Sequence, residues 1–154
     1  GRHEKIFPMF EFELKGGMDE LRSLEKELLE YLGFRKNEQG EYPGDDYDKI
    51  AEKYGVKELE HEHETKLEVD YGSVFFLENF PEYTSPFWNM KLQENGTHSN
   101  KIDVIIHGIE TIGSAERSTS SKEMKEKYVI YMKKESLKSR SKIMSYRKWL
   151  SENK

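Results

Sequence analysis

Val74-Phe75-Phe76-Leu77 is a run of four apolar residues, and Ile102-Asp103-Val104-Ile105-Ile106 is a second run with one acid set into it. A run without polar alternation suits a strand covered on both faces. The first segment is expected to be such a strand, and the second another strand. Between them, Lys91 to Lys101 contains Asn95-Gly96, a hairpin-turn signal. Beyond them, Gly108 leads into Glu110-Thr111-Ile112-Gly113-Ser114. Upstream, Phe10-Glu11-Phe12-Glu13-Leu14 alternates with period 2 and predicts another strand, closed by Gly16-Gly17. From Met18 to Leu32, Met18, Leu21, Leu24, Leu28 and Leu32 fall on one stripe, which predicts an amphipathic helix stopped at Gly33. Lys36 to Asp46 reads as a loop, Tyr47 to Tyr54 as a short helix ending near Gly55, and Glu58 to Glu64 as an irregular acidic stretch. A helix opens at Ser121, with Glu123 near its start, and runs on toward Lys154. A strand, a helix and then several strands predict an α+β fold with a mostly antiparallel sheet.

The 154 residues suit one domain. Charged residues make up 36% and hydrophobic ones 34%, so the core is modest, but 12% aromatics compensate because each buries a large area. The apolar runs fall well short of the ~20 residues a membrane helix needs. No apolar h-region follows the N-terminus, and the expected compartment is the cytoplasm. With no cysteine, disulfides, thiolate metal sites and cysteine nucleophiles are excluded. Lys122 to Lys154 carries 11 bases against 4 acids, while the chain as a whole is at −5. We read this segment as a solvated lysine-rich helix rather than an arm for DNA. His61 and His63, interleaved with Glu60, Glu62 and Glu64, read as a solvated acidic loop rather than a zinc site.

Three ordered segments carry a family resemblance. Arg2-His3, Phe7 and Glu11-Phe12-Glu13 resemble the second half of motif 2 of class II aminoacyl-tRNA synthetases, in particular the aspartyl and asparaginyl branch. Val74 to Pro81 followed by Ser85-Pro86-Phe87-Trp88-Asn89-Met90 is similar to that branch's aromatic-Pro and Pro-Phe-aromatic-x-Met segment. Asp103, Glu110 seven residues on, and Arg117 a further seven on reproduce its Asp…Gly-x-Glu…Arg spacing. The resemblance covers roughly residues 1–120, read as the central part of a class II catalytic domain. Residues 121–154 are read as a basic, helical C-terminal segment of the same domain. Motifs 1 and 3 have no counterpart in the chain.

The resemblance implies an α+β, class II synthetase-type antiparallel sheet flanked by helices. It also implies ATP-dependent activation of aspartate or asparagine as an aminoacyl adenylate, with transfer to tRNA. Magnesium and ATP are then the cofactors and a homodimer the expected assembly. Glu110 and Asp103 are the implied metal ligands. Arg117 is the implied reader of the amino-acid side chain, because a guanidinium can grip a carboxylate with two parallel hydrogen bonds. Glu110 and Arg117 together make the implied catalytic pair. Arg2 and His3 are assigned to the ATP phosphates and Phe7 to stacking on adenine. Two alternatives share this framework: a stand-alone relative passing the activated acyl group to ammonia, and a non-catalytic paralogue that binds a ligand or partner. In a straight strand Asp103 and Glu110 would face opposite ways, so the chain must bend near Gly108 for both to reach one site. The family's usual serine three residues past the glutamate is Gly113 here, with Ser114 one place later, pointing the other way along a strand.

Overall fold

The computed structural model describes residues 6–152, with side chains as far as residue 137. A four-stranded sheet of order β1-β2-β3-β4 forms its centre. The strands are β1 (Gly44–Asp46), β2 (Val74–Pro81), β3 (His98–Ile106) and β4 (Ile109–Ala115). β1 runs parallel to β2, and the other two pairings are antiparallel. Four helices flank the sheet: α1 (Met18–Tyr31), α2 (Tyr47–Tyr54), α3 (His61–Tyr71) and α4 (Ser121–Glu152). The α+β class and mostly antiparallel sheet follow the sequence reading.

β2 is covered on both sides, as its apolar run requires. Phe75, Leu77 and Phe80 pack with Ile105 of β3 against Tyr47, Ile50 and Ala51 of α2 and Leu67 of α3. Val74 and Phe76 face the other way and pack with Ile102, Val104, Tyr42 and Leu29 of α1. Truncating any of the larger side chains to alanine would cost about 2–5 kcal/mol. α1 is anchored at its charged edge by Arg22, whose Nε and Nη2 both donate to the Glu78 carboxylate, a two-pronged contact. α4 is held by rings and by polar contacts, among them Lys134 Nζ donating to Ser85 Oγ at 2.8 Å. Trp88 meets Tyr128 edge-on at 5.3 Å, and Phe87 meets Tyr131 at 5.7 Å. Lys127 Nζ donates to Glu82, to the Met90 carbonyl and to Ser99.

Three expectations are corrected. Phe10 to Leu14 is not a strand: residues 7–14 take no regular structure. Alternation permits a strand, but a neighbouring strand must supply the hydrogen bonds, and among the described residues β4 has only β3 beside it. The buried stripe of α1 is Leu21, Glu25 and Leu29, not the Leu24–Leu28–Leu32 line. Leucines lie on two sides of this helix, and the sheet selects the i, i+4, i+8 set, carrying Glu25 into the interior. The acidic stretch ending at Glu64 is not irregular throughout, because α3 begins at His61. His63 is buried, its Nδ1 accepts the Glu60 N–H at the helix start, and its ring stacks on Tyr54 at 5.8 Å. A histidine inside a cap needs no metal, and among the described residues no group of three or more His, Cys, Asp and Glu gathers as a metal site.

Candidate functional site: a carboxylate pair on a bulged hairpin

β3 and β4 form a hairpin around His107-Gly108. Both residues have positive φ, +49° and +69°, and Ile106 and Ile109 pair across the turn. This is the two-residue turn whose twist suits a hairpin. Gly108 is required twice, since a Cβ there would also lie 2.8 Å from the Thr65 Cα of α3. The bend anticipated near Gly108 is this turn. It reverses the chain, so that Glu110 comes to lie opposite Ile105. Cross-strand partners share a face, and Ile105 shares its face with Asp103 two residues earlier. Asp103 and Glu110 are therefore on one side of the sheet despite their odd separation.

A bulge completes the arrangement. Ile105 pairs with Glu110 but Val104 pairs with Ile112, leaving Thr111 as the extra residue. Gly113, rather than Ile112, then stands opposite Asp103. A Cβ on Gly113 would lie 2.9 Å from Glu110 Oε1 and 3.6 Å from Asp103 Oδ1. The two carboxylates thus close on the space a side chain at 113 would occupy. Ser114 points to the other face, where its hydroxyl donates to the Ile102 carbonyl at 3.4 Å.

Asp103 is 4% exposed, and its Oδ1 is buried without a hydrogen-bond partner. Burial raises its pKa; Lys101 opposes that rise and the neighbouring Glu110 adds to it. A buried carboxylate oxygen with no partner, beside a second carboxylate, suits a hard cation. Magnesium in nucleotide sites is commonly held by one or two carboxylates with waters and substrate phosphates, so the donor set of Asp103 and Glu110 fits it.

Lys101 was not among the candidates drawn from the sequence. Its ammonium forms an ion pair with Asp103 Oδ2 and sits 3.8 Å from the centroid of the Phe80 ring. It was legible in principle, since two residues before Asp103 on a strand is the same face.

Arg117 continues this line. Ala115 pairs with Lys101, the ladder extends through the Glu116 N–H donating to the Asn100 carbonyl, and Arg117 bridges to Met90. Alternation puts residues 113, 115 and 117 on one side. The exposed guanidinium donates to Asn89 Oδ1 at 3.0 Å. The nearby acids are engaged elsewhere: Glu116 accepts from Lys91 and Asn100, and Glu123 from the Leu92 N–H. Phe7 is 61% exposed, so its ring is at the surface and not in the core. Arg2 and His3 lie outside the described residues.

No helix among the described residues is long and apolar enough to cross a membrane. The asparaginyl-tRNA synthetase of Pyrococcus horikoshii superposes with a TM-score of 0.62 at 19% identity, over 76% of this chain and 35% of that one. The same enzyme complexed with asparaginyl-adenylate gives 0.52 at 20%, over 74% and 30%. An aspartyl-tRNA synthetase from Entamoeba histolytica gives 0.51 at 18%, over 74% and 27%. The chain thus spans about a third of the length of these structures, and at such identities the likeness speaks for the fold. No curated protein matches the chain. The family model of class II tRNA synthetases (D, K and N) matches residues 2–153, a span that includes the basic segment after Ser121, and the chain belongs to that family.

Proposed function

We propose that this chain forms part of a catalytic core that activates aspartate or asparagine with ATP as an aminoacyl adenylate, for transfer to tRNA. The observation that carries the reading is the convergence of Asp103 and Glu110 on the space beside Gly113, with Arg117 two residues past the end of β4 in its extension. Adenylate formation joins two anions, a carboxylate and a phosphate, so the site must offset negative charge and hold the reactants in line. Magnesium, when bound, neutralises phosphate charge and polarises the phosphoryl oxygens. Asp103 and Glu110 are the residues to hold it. On this reading Arg117 grips the side chain of the amino acid, a carboxylate with both prongs or an amide oxygen with one. Arg2 and His3 meet the ATP phosphates. Phe7, its ring open to solvent, stacks on adenine. The working assembly is a homodimer in the cytoplasm.

The test is ATP–pyrophosphate exchange by the full-length protein, driven by aspartate and asparagine in turn. Glu110→Gln keeps the shape and removes the charge. Exchange should fall roughly 100-fold, the usual scale for losing one well-placed electrostatic contact, with thermal stability unchanged because Glu110 is exposed. Exchange at the wild-type rate, with the same dependence on magnesium, would overturn the reading.

A further inference from the structure

We infer that Lys101 is a built-in counter-cation of the Asp103–Glu110 pair, which an incoming divalent ion must displace. The inference rests on the reading of those two acids as ion ligands. Lys101 and Asp103 are two apart on β3, so both side chains rise from the same face of the strand. The side chains are 17% and 6% exposed, and the ammonium lies against Asp103 Oδ2 while Oδ1 faces the Glu110 side. On its other flank the ammonium meets the Phe80 ring at 3.8 Å, a contact that favours a cation when water is scarce.

The arrangement has a consequence for charge. Two carboxylates facing one small space repel each other, and a single ammonium relieves part of that repulsion. A divalent ion seated between Asp103 and Glu110 would stand close to the ammonium, and like charges at such range in a half-dry site oppose each other strongly. Asp103 cannot serve both cations fully. Lysine suits the part, since its charge is compact and its four-carbon stem can swing the head aside without moving the strand. Arginine, with a fixed fork, would be harder to displace. The ammonium thereby offsets part of the repulsion within the acid pair, and ion binding is weakened by the work of moving Lys101.

The test is direct ion binding. Full-length wild type, Lys101→Met and Glu110→Gln are titrated calorimetrically with magnesium, and with manganese followed by electron paramagnetic resonance. Removing the ammonium should tighten ion binding at least about tenfold, and Glu110→Gln should abolish it. Lys101→Gln, which can still donate to Asp103, covers the case in which the methionine variant fails to fold, and should also bind more tightly than wild type. Equal or weaker affinity in the Lys101 variants, with binding still lost in Glu110→Gln, overturns the role of Lys101 and leaves the acid pair as the ion site. Absence of ion binding in wild type and Lys101 variants alike overturns both.

Discussion

Gly113 stands directly opposite Asp103 in the β3–β4 ladder, and the absence of a side chain there lets the Glu110 carboxylate reach toward the same point. The relationship depends on the bulge at Thr111, since a regular ladder would have put Ile112 opposite Asp103 and an isobutyl-sized side chain between the acids.

Gly113→Ala tests this. A Cβ would press on Glu110 Oε1 at 2.9 Å, the free end of a flexible side chain, so Glu110 swings away at little cost. Stability should change by less than ~1 kcal/mol, while ion affinity falls about tenfold for loss of one ligand's alignment. Thermal melts and manganese titration on the same sample separate the two effects. A large fall in melting temperature with ion binding intact would mean that Gly113 serves only the bulge.

Glu25 yields a prediction about pH. It is fully buried in α1, both of its carboxylate oxygens lack a hydrogen-bond partner, and burial pushes its pKa up to about 7. The nearby Ser114 hydroxyl counters this only in part, and the Glu78 charge adds to it. Because the folded-state value lies above the unfolded one, Glu25 favours folding below about pH 4 and that benefit is lost as pH rises through 7. The accumulated penalty above pH 7 is on the order of 3 kcal/mol. Glu25→Met fills similar space without a charge. In urea unfolding it should match or slightly exceed wild type at pH 5 and exceed it clearly at pH 8.5. A constant gap across that range would show that Glu25 does not titrate there.

Much of the frame was legible. Tyr47–Tyr54 has Gly55 with φ +67° at its end, a stop signal plain in sequence. The apolar runs at 74–77 and 102–106 became the two central strands because few other places can cover both faces. What escaped was set by neighbours. α3 buries only His63 and Leu67, too few for an apolar stripe to show. Phe10 to Leu14 has the pattern of a strand without a strand beside it. In the site, the Asp103-to-Glu110 spacing meant something only through family resemblance, whereas Lys101 was missed although alternation alone could have found it. The bulge at Thr111 had no signal in the sequence; it is a matter of register, which only the paired strands decide.

Phe7 separates binding from packing. At 61% exposure its ring contributes little to the fold, so Phe7→Leu should leave stability within ~0.5 kcal/mol. If adenine stacks on it, ATP affinity of the full-length protein should fall roughly three- to tenfold, the equivalent of about 0.5–1.5 kcal/mol. Equilibrium dialysis with ATP and a chemical melt decide it. Unchanged ATP affinity would remove Phe7 from the nucleotide site.

If Arg117 grips the amino-acid side chain, substituting it should weaken that ligand and spare ATP. Its guanidinium donates to Asn89, and the acids beside it are engaged by Lys91, Asn100 and the Leu92 amide, so one prong's partner is a neutral amide that a ligand carboxylate can outcompete. Lysine at this position keeps the charge and loses the fork. A substrate oxygen left poorly paired in a closed site costs about 1–3 kcal/mol. Arg117→Lys should therefore weaken aspartate or asparagine binding about tenfold or more, with ATP binding nearly unchanged. Separate calorimetric titrations of each ligand into wild type and variant would show it. Asn89→Ala is the companion variant: it frees the guanidinium without removing it, so amino-acid affinity should hold or improve. Equal loss of both ligands in Arg117→Lys would mean that the Arg117–Asn89 contact serves the joint between β4 and the 85–90 segment rather than the substrate.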